Sequence, residues 1–175
     1  DPLGVNIYRR LGFLDEFDSP RFLLQAGSSS KPAGACVLTA ADRAAVAAFD
    51  KARFGDERGR LLGLLLGSAL AAFRVPARGT LSGYVVVQPS TTGARIGPWV
   101  ADGAQAAEEL LRAAVSHLGG RTAVVAVPGG NPEVETILGS AAFVRTPSSL
   151  RMVRGPLTAA GRPECVFALA SGAVG

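Results

Sequence analysis

Residues 73–118 constrain the fold of this chain more than any other stretch. Phe73–Val75 and Thr80–Gln88 have the composition of strands and are separated by a short turn, which predicts an antiparallel hairpin. A third strand pattern, Arg95–Ala101, follows with no helix before it, and an amphipathic helix then extends from residue 103 to 118. A hairpin and a strand-to-helix unit in one sheet indicate a mixed α/β fold rather than a strictly alternating doubly wound one.

The remaining patterns flank this unit on both sides. They predict a short strand at Cys36, helices at 40–54 and 56–72, a buried strand at 122–128, a helix after Asn131, and late strands at 149–154 and 164–170. We therefore expect a central mixed sheet of about six to seven strands flanked by four helices.

Composition excludes several classes of protein. The net charge is +4, the arginines are dispersed and aromatic residues make up only 6%, so no nucleic-acid partner is expected. The longest apolar run, Leu61–Phe73, is shorter than the ~20 residues of a membrane span, and no membrane partner is expected. Two cysteines make no disulfide scaffold, which favours a cytoplasmic location, and without a second histidine no metal site is predicted.

Three segments carry a family resemblance: the hairpin strand SGYVVVQP (82–89), the strand and helix start IGPWVADGAQAAEELL (96–111), and NPEVETILGSAAF (131–143). In this order they resemble the GNAT acyltransferase superfamily, which transfers an acyl group from a coenzyme A thioester to an amine. FGDER (54–58) and LRMVRG (150–155) are similar to the C-terminal domain of tandem-GNAT proteins.

The resemblance implies acetyl-CoA, or another acyl-CoA, as cofactor, and a small-molecule or protein amine as acceptor. A splayed strand would bind the pantetheine amides, and the following helix N-terminus would bind the pyrophosphate. The implied cofactor-binding residues are Trp99, Val100, Ala101, Gly103, Ala104, Gln105 and Asn131. Phe54, Asp56 and Arg58 would line an amine pocket, although capping and a surface ion pair are the alternative for the charged residues.

The sequence departs from the family pattern at the pyrophosphate loop and at the general acid. The loop keeps only Gly103, and Asp102 precedes it in a position typical of a helix N-cap. The position at which the family has its general acid is occupied here by Leu138, whose side chain has no ionisable proton. Tyr84 is a candidate acid, with a tyrosine packed in the sheet as the alternative, and Tyr8 would be the acid of an upstream domain.

The resemblance also predicts a division of the chain. Residues 1–25 resemble the tail of an upstream GNAT domain, 26–35 a linker, and 36–175 a GNAT-like domain; a simple N-terminal helix is the alternative for the first segment. The function predicted is acyl-CoA-dependent N-acyl transfer, with a catalytically degenerate module for ligand sensing or domain packing as the alternative. A nucleotide-binding domain with its phosphate at 129–131 is a third hypothesis.

Overall fold

The computed structural model describes residues 2–28, 34–77, 80–129, 131–155 and 161–171. The described residues form five helices: α1 (Pro2–Arg10), α2 (Arg43–Phe54), α3 (Gly59–Ser68), α4 (Ala104–Leu118) and α5 (Glu133–Ser140). They also form eight strands: β1 (Leu14–Leu24), β2 (Cys36–Val37), β3 (Ala71–Ala77), β4 (Thr80–Ser90), β5 (Gly93–Ala101), β6 (Ala123–Ala126), β7 (Val144–Val153) and β8 (Val166–Ala168). Short 3₁₀ turns lie at Ala40–Asp42 and Pro163–Cys165.

All eight strands belong to one mixed sheet, which confirms the predicted α/β class. The strand order is β2-β3-β4-β5-β6-β1-β7, and β8 pairs with β5 beside this path. Of the described pairs, β5 with β6 is parallel and the others are antiparallel. Residues 36–175 contribute the seven strands and four helices expected of them, and β1 and α1 add one more of each.

The sheet separates two hydrophobic clusters, one on each face, and the side chains of β4 alternate between them. Val85 and Val87 face the larger cluster, which contains most of the buried face of α4. Tyr84 and Val86 face the second cluster, together with Val46 of α2. Successive strand side chains point to opposite faces, so a strand that is apolar at every position is covered by helices on both sides.

The end of α2 follows its sequence signal, whereas both ends of α3 differ from the prediction. The α2 helix stops at Gly55, which has a φ of 91° and so adopts the left-handed conformation that glycine tolerates best. The predicted second helix, 56–72, starts three residues before the observed Gly59 and ends four residues beyond Ser68. Its end is too late because Ala71 and Ala72 pair with Val87 and Val86 in the sheet. No helix among the described residues is long and apolar enough to cross a bilayer.

Strand β1 lies inside the sheet rather than apart from it. Leu24 pairs with Ala123 of β6, and Leu14 pairs with Val153 of β7. The edge strand β2 at Cys36 and the strand β1 therefore belong to one sheet, and the division of the chain at residue 36 stays a prediction. The origin of residues 1–25 in an upstream domain stays a prediction, and residues 29–33 of the predicted linker lie outside the described residues.

Candidate active site

The end of β5 and the start of α4 form the center of the candidate site. Trp99, Val100 and Ala101 are fully buried at the end of β5. The chain then turns at Gly103, whose φ is 109°, and α4 begins without a side-chain hydrogen bond to its N-terminus. Among the described residues, the N-cap position is held by a glycine, which has no side chain to engage the first N–H groups of α4.

Asp102 is not the N-cap that the sequence predicts, since Gly103 holds that position. The Asp102 carboxylate instead accepts two hydrogen bonds from Arg53, at 3.0 Å from Nε and 2.7 Å from Nη2. Arg53 lies at the end of α2, and its guanidinium also stacks 3.9 Å from the ring centroid of Phe49. The guanidinium of Arg53 thus compensates the negative charge of Asp102. The positive end of the α4 dipole is directed at the space in front of the helix N-terminus.

That space is a cavity of about 410 Å³ between the starts of α4 and α5. Its lining residues are Asp102, Gly103, Asn131, Pro132, Glu133, Arg162, Glu164 and Cys165. The Glu164 backbone N–H and the Arg162 guanidinium hold the pKa of the Glu164 carboxyl below its ordinary value. The cavity therefore presents both arginine and carboxylate groups to a ligand.

Asn131, a predicted cofactor-binding residue, lines this cavity but is already hydrogen-bonded. Its Oδ1 accepts from the Glu133 N–H at 3.1 Å, as a side chain does at a helix start. Its Nδ2 donates to the carbonyls of Glu164 and Val166, at 3.0 and 3.4 Å. The amide thus ties the start of α5 to the last strand.

Cys165 is a lining residue that the sequence alone gave no reason to place here. Its Sγ lies 3.9 Å from Asp102 Oδ1, and burial raises the pKa of the thiol. A thiol whose pKa is raised supplies little thiolate, so Cys165 is a poor nucleophile in this setting.

Three predicted site residues meet in a buried cluster around Asp50, which the sequence did not indicate. Asp50 is 1% exposed and accepts from Arg58 Nε and Nη2, at 2.7 and 2.8 Å, and from the Tyr84 hydroxyl. The Arg58 guanidinium also covers the Phe54 ring at 3.4 Å. Asp56, by contrast, is exposed and accepts from the Glu57 N–H.

The surroundings of this cluster raise the pKa values of Tyr84 and Arg58. Burial, reinforced by the charge of Asp50, raises the pKa of Tyr84 well above its ordinary value. Burial opposes the charge of Arg58, but its hydrogen bonds to Asp50 and the neighbouring charges keep its pKa above the ordinary value. Tyr84 is fully buried in the sheet, and its role as an acid stays a prediction.

The second candidate acid, Tyr8, lies elsewhere, as do Leu138 and the one histidine of the sequence, His117. Tyr8 is half-exposed on α1, and the centroid of its ring lies 5.3 Å from that of Phe13 in an edge-to-face arrangement. Leu138 is fully buried in α5 and is part of the larger cluster. His117 packs at the end of α4 with its ring 6.0 Å from Phe73.

Strands β5 and β6 pair only at their starts, where Ala94 faces Ala123 and Arg95 faces Val124. Opposite Val86, the two residues Gly97 and Pro98 form a bulge, as is common where a proline cannot donate to the ladder. Beyond it the strands diverge, and β8 lies in the resulting cleft.

A family model described as an acetyltransferase (GNAT) domain matches residues 46–168. The chain belongs to the GNAT acetyltransferase family.

Solved structures of this family share the fold. A proposed acetyltransferase from Pyrococcus horikoshii superposes with a TM-score of 0.79 over 100% of this chain, at 22% identity. A GCN5-related N-acetyltransferase from Sphaerobacter thermophilus has a TM-score of 0.64 over 90% of this chain, at 13% identity.

These GNAT structures are longer than this chain. It spans 58% of the Pyrococcus chain and 58% of the Sphaerobacter chain. At these identities the likeness establishes the fold alone. A search of curated proteins finds no significant match to the sequence.

Proposed function

We propose that this chain is the C-terminal part of an acyl-CoA-dependent N-acyltransferase that transfers an acetyl group to a small-molecule or protein amine. The GNAT fold suggests acyl transfer in general. The observation that carries the proposal is the junction of β5 and α4, where a buried strand leads into an uncapped helix N-terminus beside a cavity. A cytoplasmic location belongs to the proposal, and the two free cysteines support it.

The phosphate end of acyl-CoA fits this junction. Backbone N–H groups of Ala104 and Gln105 lie in the first turn of α4, where the helix dipole favours an anion. A side chain at Gly103 would meet no atom within 4 Å, so the approach is open. Because Arg53 compensates the charge of Asp102, repulsion of a phosphate by this carboxylate is reduced.

The thioester arm of acyl-CoA does not fit the described arrangement. The residues implied to bind it, Trp99 and Val100, already pair with β8. We therefore derive no catalytic step through the cofactor from this domain. When bound, acyl-CoA would supply the activated acyl group, and the acceptor side would be formed near Phe54 and Asp56.

An upstream GNAT domain in the same polypeptide is the proposed partner. The support is the exposed apolar surface of α1 and the start of β1, where Ile7, Tyr8, Leu11 and Leu14 are 50–68% exposed. An apolar surface of this kind is typical of a protein interface.

The test is calorimetry of acetyl-CoA with this chain and with a polypeptide extended upstream, followed by release of free CoA thiol in the presence of an amine panel. We expect binding and thiol release in the extended protein. Absence of both in both proteins would contradict the proposal.

A catalytically degenerate module is the second candidate, and the position of β8 together with Leu138 favours it. The two functions differ in their response to Asp102→Arg in the extended protein. An acyltransferase whose phosphate site includes α4 changes its acetyl-CoA KM, whereas a packing module leaves the kinetics of the upstream domain unchanged.

A further inference from the structure

The last described segment, Cys165–Ala170, fills the cleft between β5 and β6; we call it the closing segment. It contacts both sides of the cleft. On one side Val166 and Ala168 pair antiparallel with Val100 and Trp99 of β5. On the other side the Leu169 N–H donates to the carbonyl of Ala126, the last residue of β6, at 2.9 Å.

The fit of the closing segment is close along its length. All six residues are buried, and the Phe167 ring lies 5.1 Å from the Trp99 ring. Its carbonyl at Leu169 approaches Gly97 so closely that a Cβ there would lie 2.2 Å from the oxygen. The segment therefore packs as part of the core.

A side chain from β4 holds the end of the closing segment. The Gln88 Nε2 donates both to the Gly97 carbonyl on β5 and to the Ala170 carbonyl, the latter at 3.1 Å. Gln88 thus bridges the bulge of β5 and the segment in the cleft. Its loss would weaken the closed arrangement without removing a residue of the segment itself.

We infer that the closing segment and the thioester arm of acyl-CoA exclude each other, so that this domain is closed to its cofactor until the segment leaves the cleft. The inference rests on the proposed function. Backbone N–H and C=O groups of β5 that pair with β8 cannot at the same time pair with the amides of a ligand. An extended ligand that adds to a strand edge must displace the strand already there.

A ligand that binds only the open form has an apparent affinity equal to its intrinsic affinity multiplied by the fraction of molecules that are open. Exclusion by the closing segment can therefore be measured as weakened binding of acetyl-CoA. Variants that release the segment should therefore bind acetyl-CoA more tightly, which is opposite to the usual effect of core damage. Phe167→Ala removes the ring packed on Trp99, and Gln88→Ala removes the bridge. Phe143→Ala, at an equally buried phenylalanine directly before β7, is the matched control.

The experiment measures acetyl-CoA binding by calorimetry and amide hydrogen exchange at Leu169 in the full 175-residue chain and these three variants. We expect weak binding by the parent chain, at least tenfold tighter binding by Phe167→Ala and about fivefold by Gln88→Ala. Phe143→Ala should stay within twofold of the parent. Added acetyl-CoA should speed exchange of the Leu169 amide, because the ligand frees it from Ala126. Gln88→Ala keeps the test available should Phe167→Ala fail to fold.

Two results would overturn the inference, and they are distinguishable. Tight binding by the parent chain with the Leu169 amide still protected would show that ligand and segment coexist, and the proposed function would stand. No binding by variants whose Leu169 amide exchanges freely would show that the opened cleft does not accept acyl-CoA, and the assignment of the cofactor to this domain would fail as well.

Discussion

Replacing Arg58 by methionine should strongly destabilise the protein, because it leaves the buried Asp50 carboxylate without its cation. The side chains of Arg58 and Asp50 are 7% and 1% exposed, and Arg58 Nε lies 2.7 Å from Asp50 Oδ2. Methionine is of similar length and still covers the Phe54 ring, but it leaves a buried carboxylate without its cation. Removing one partner of a buried ion pair costs about 3–5 kcal/mol of unfolding free energy. In a domain of this length that corresponds to a fall in Tm of about 6–20 °C.

Urea denaturation followed by Trp99 fluorescence and far-UV circular dichroism measures the loss. Lys51→Met is the control, because the Lys51–Glu57 pair is 61% exposed on both sides and should leave the midpoint unchanged. Adding Asp50→Asn to Arg58→Met should recover about half of the loss, since the amide carries no charge and still accepts from Tyr84. If Asp50→Asn gives no recovery, lost packing rather than the unpaired charge is responsible and the reasoning is refuted.

Three further predictions concern the sheet and its helices. The unfolding free energy should fall as pH rises above the unfolded tyrosine pKa of about 10, because the folded state retains the Tyr84 proton that the unfolded state loses. Tyr84→Phe should reduce this slope by about 1.4 kcal/mol per pH unit in urea melts, and an equal slope in both proteins would refute the role given to burial. Leu110→Ala, at a fully buried position of α4, should cost about 2–5 kcal/mol. Leu64→Ala, at a position 67% exposed on α3, should stay within about 0.5 kcal/mol. Gly83→Ala should cost about 1–3 kcal/mol by differential scanning calorimetry, because the new Cβ would lie 2.8 Å from Leu110 Cδ1 and 3.0 Å from the Val100 carbonyl; an unchanged melting temperature would show that the contact relaxes freely.

The sequence predicts the elements whose signals are local. The stop of α2 at Gly55 follows from a glycine after a periodic pattern, and the bulge of β5 follows from Gly97–Pro98 inside a strand. The predicted boundary between α3 and β3 is wrong, because the apolar residues near Ala71 suit a helix or a strand equally well. Pairing with β4 decides between them, and that contact is not local.

The site was harder to predict because its interactions join distant parts of the chain. Asp102 has the sequence of an N-cap, yet Arg53, 49 residues earlier, takes its carboxylate. Asp50 lies among alanines and charged residues on α2, with no pattern to mark it as the acceptor for Tyr84, 34 residues later. Side-chain pairings of this kind depend on the packing of α2 against the sheet, which residue spacing does not encode.

The position of β1 has a consequence for how the protein is made. Glu16 accepts a hydrogen bond from Arg151, 135 positions later, so β1 cannot complete its pairing until β7 has been synthesised. Contacts of such long sequence separation slow folding, and β1 stays an unpaired strand in the meantime. An expression clone that begins at Cys36 would leave β6 and β7 each with an open edge and would invite strand exchange between molecules. Clones for any future experiment should therefore begin before Leu14.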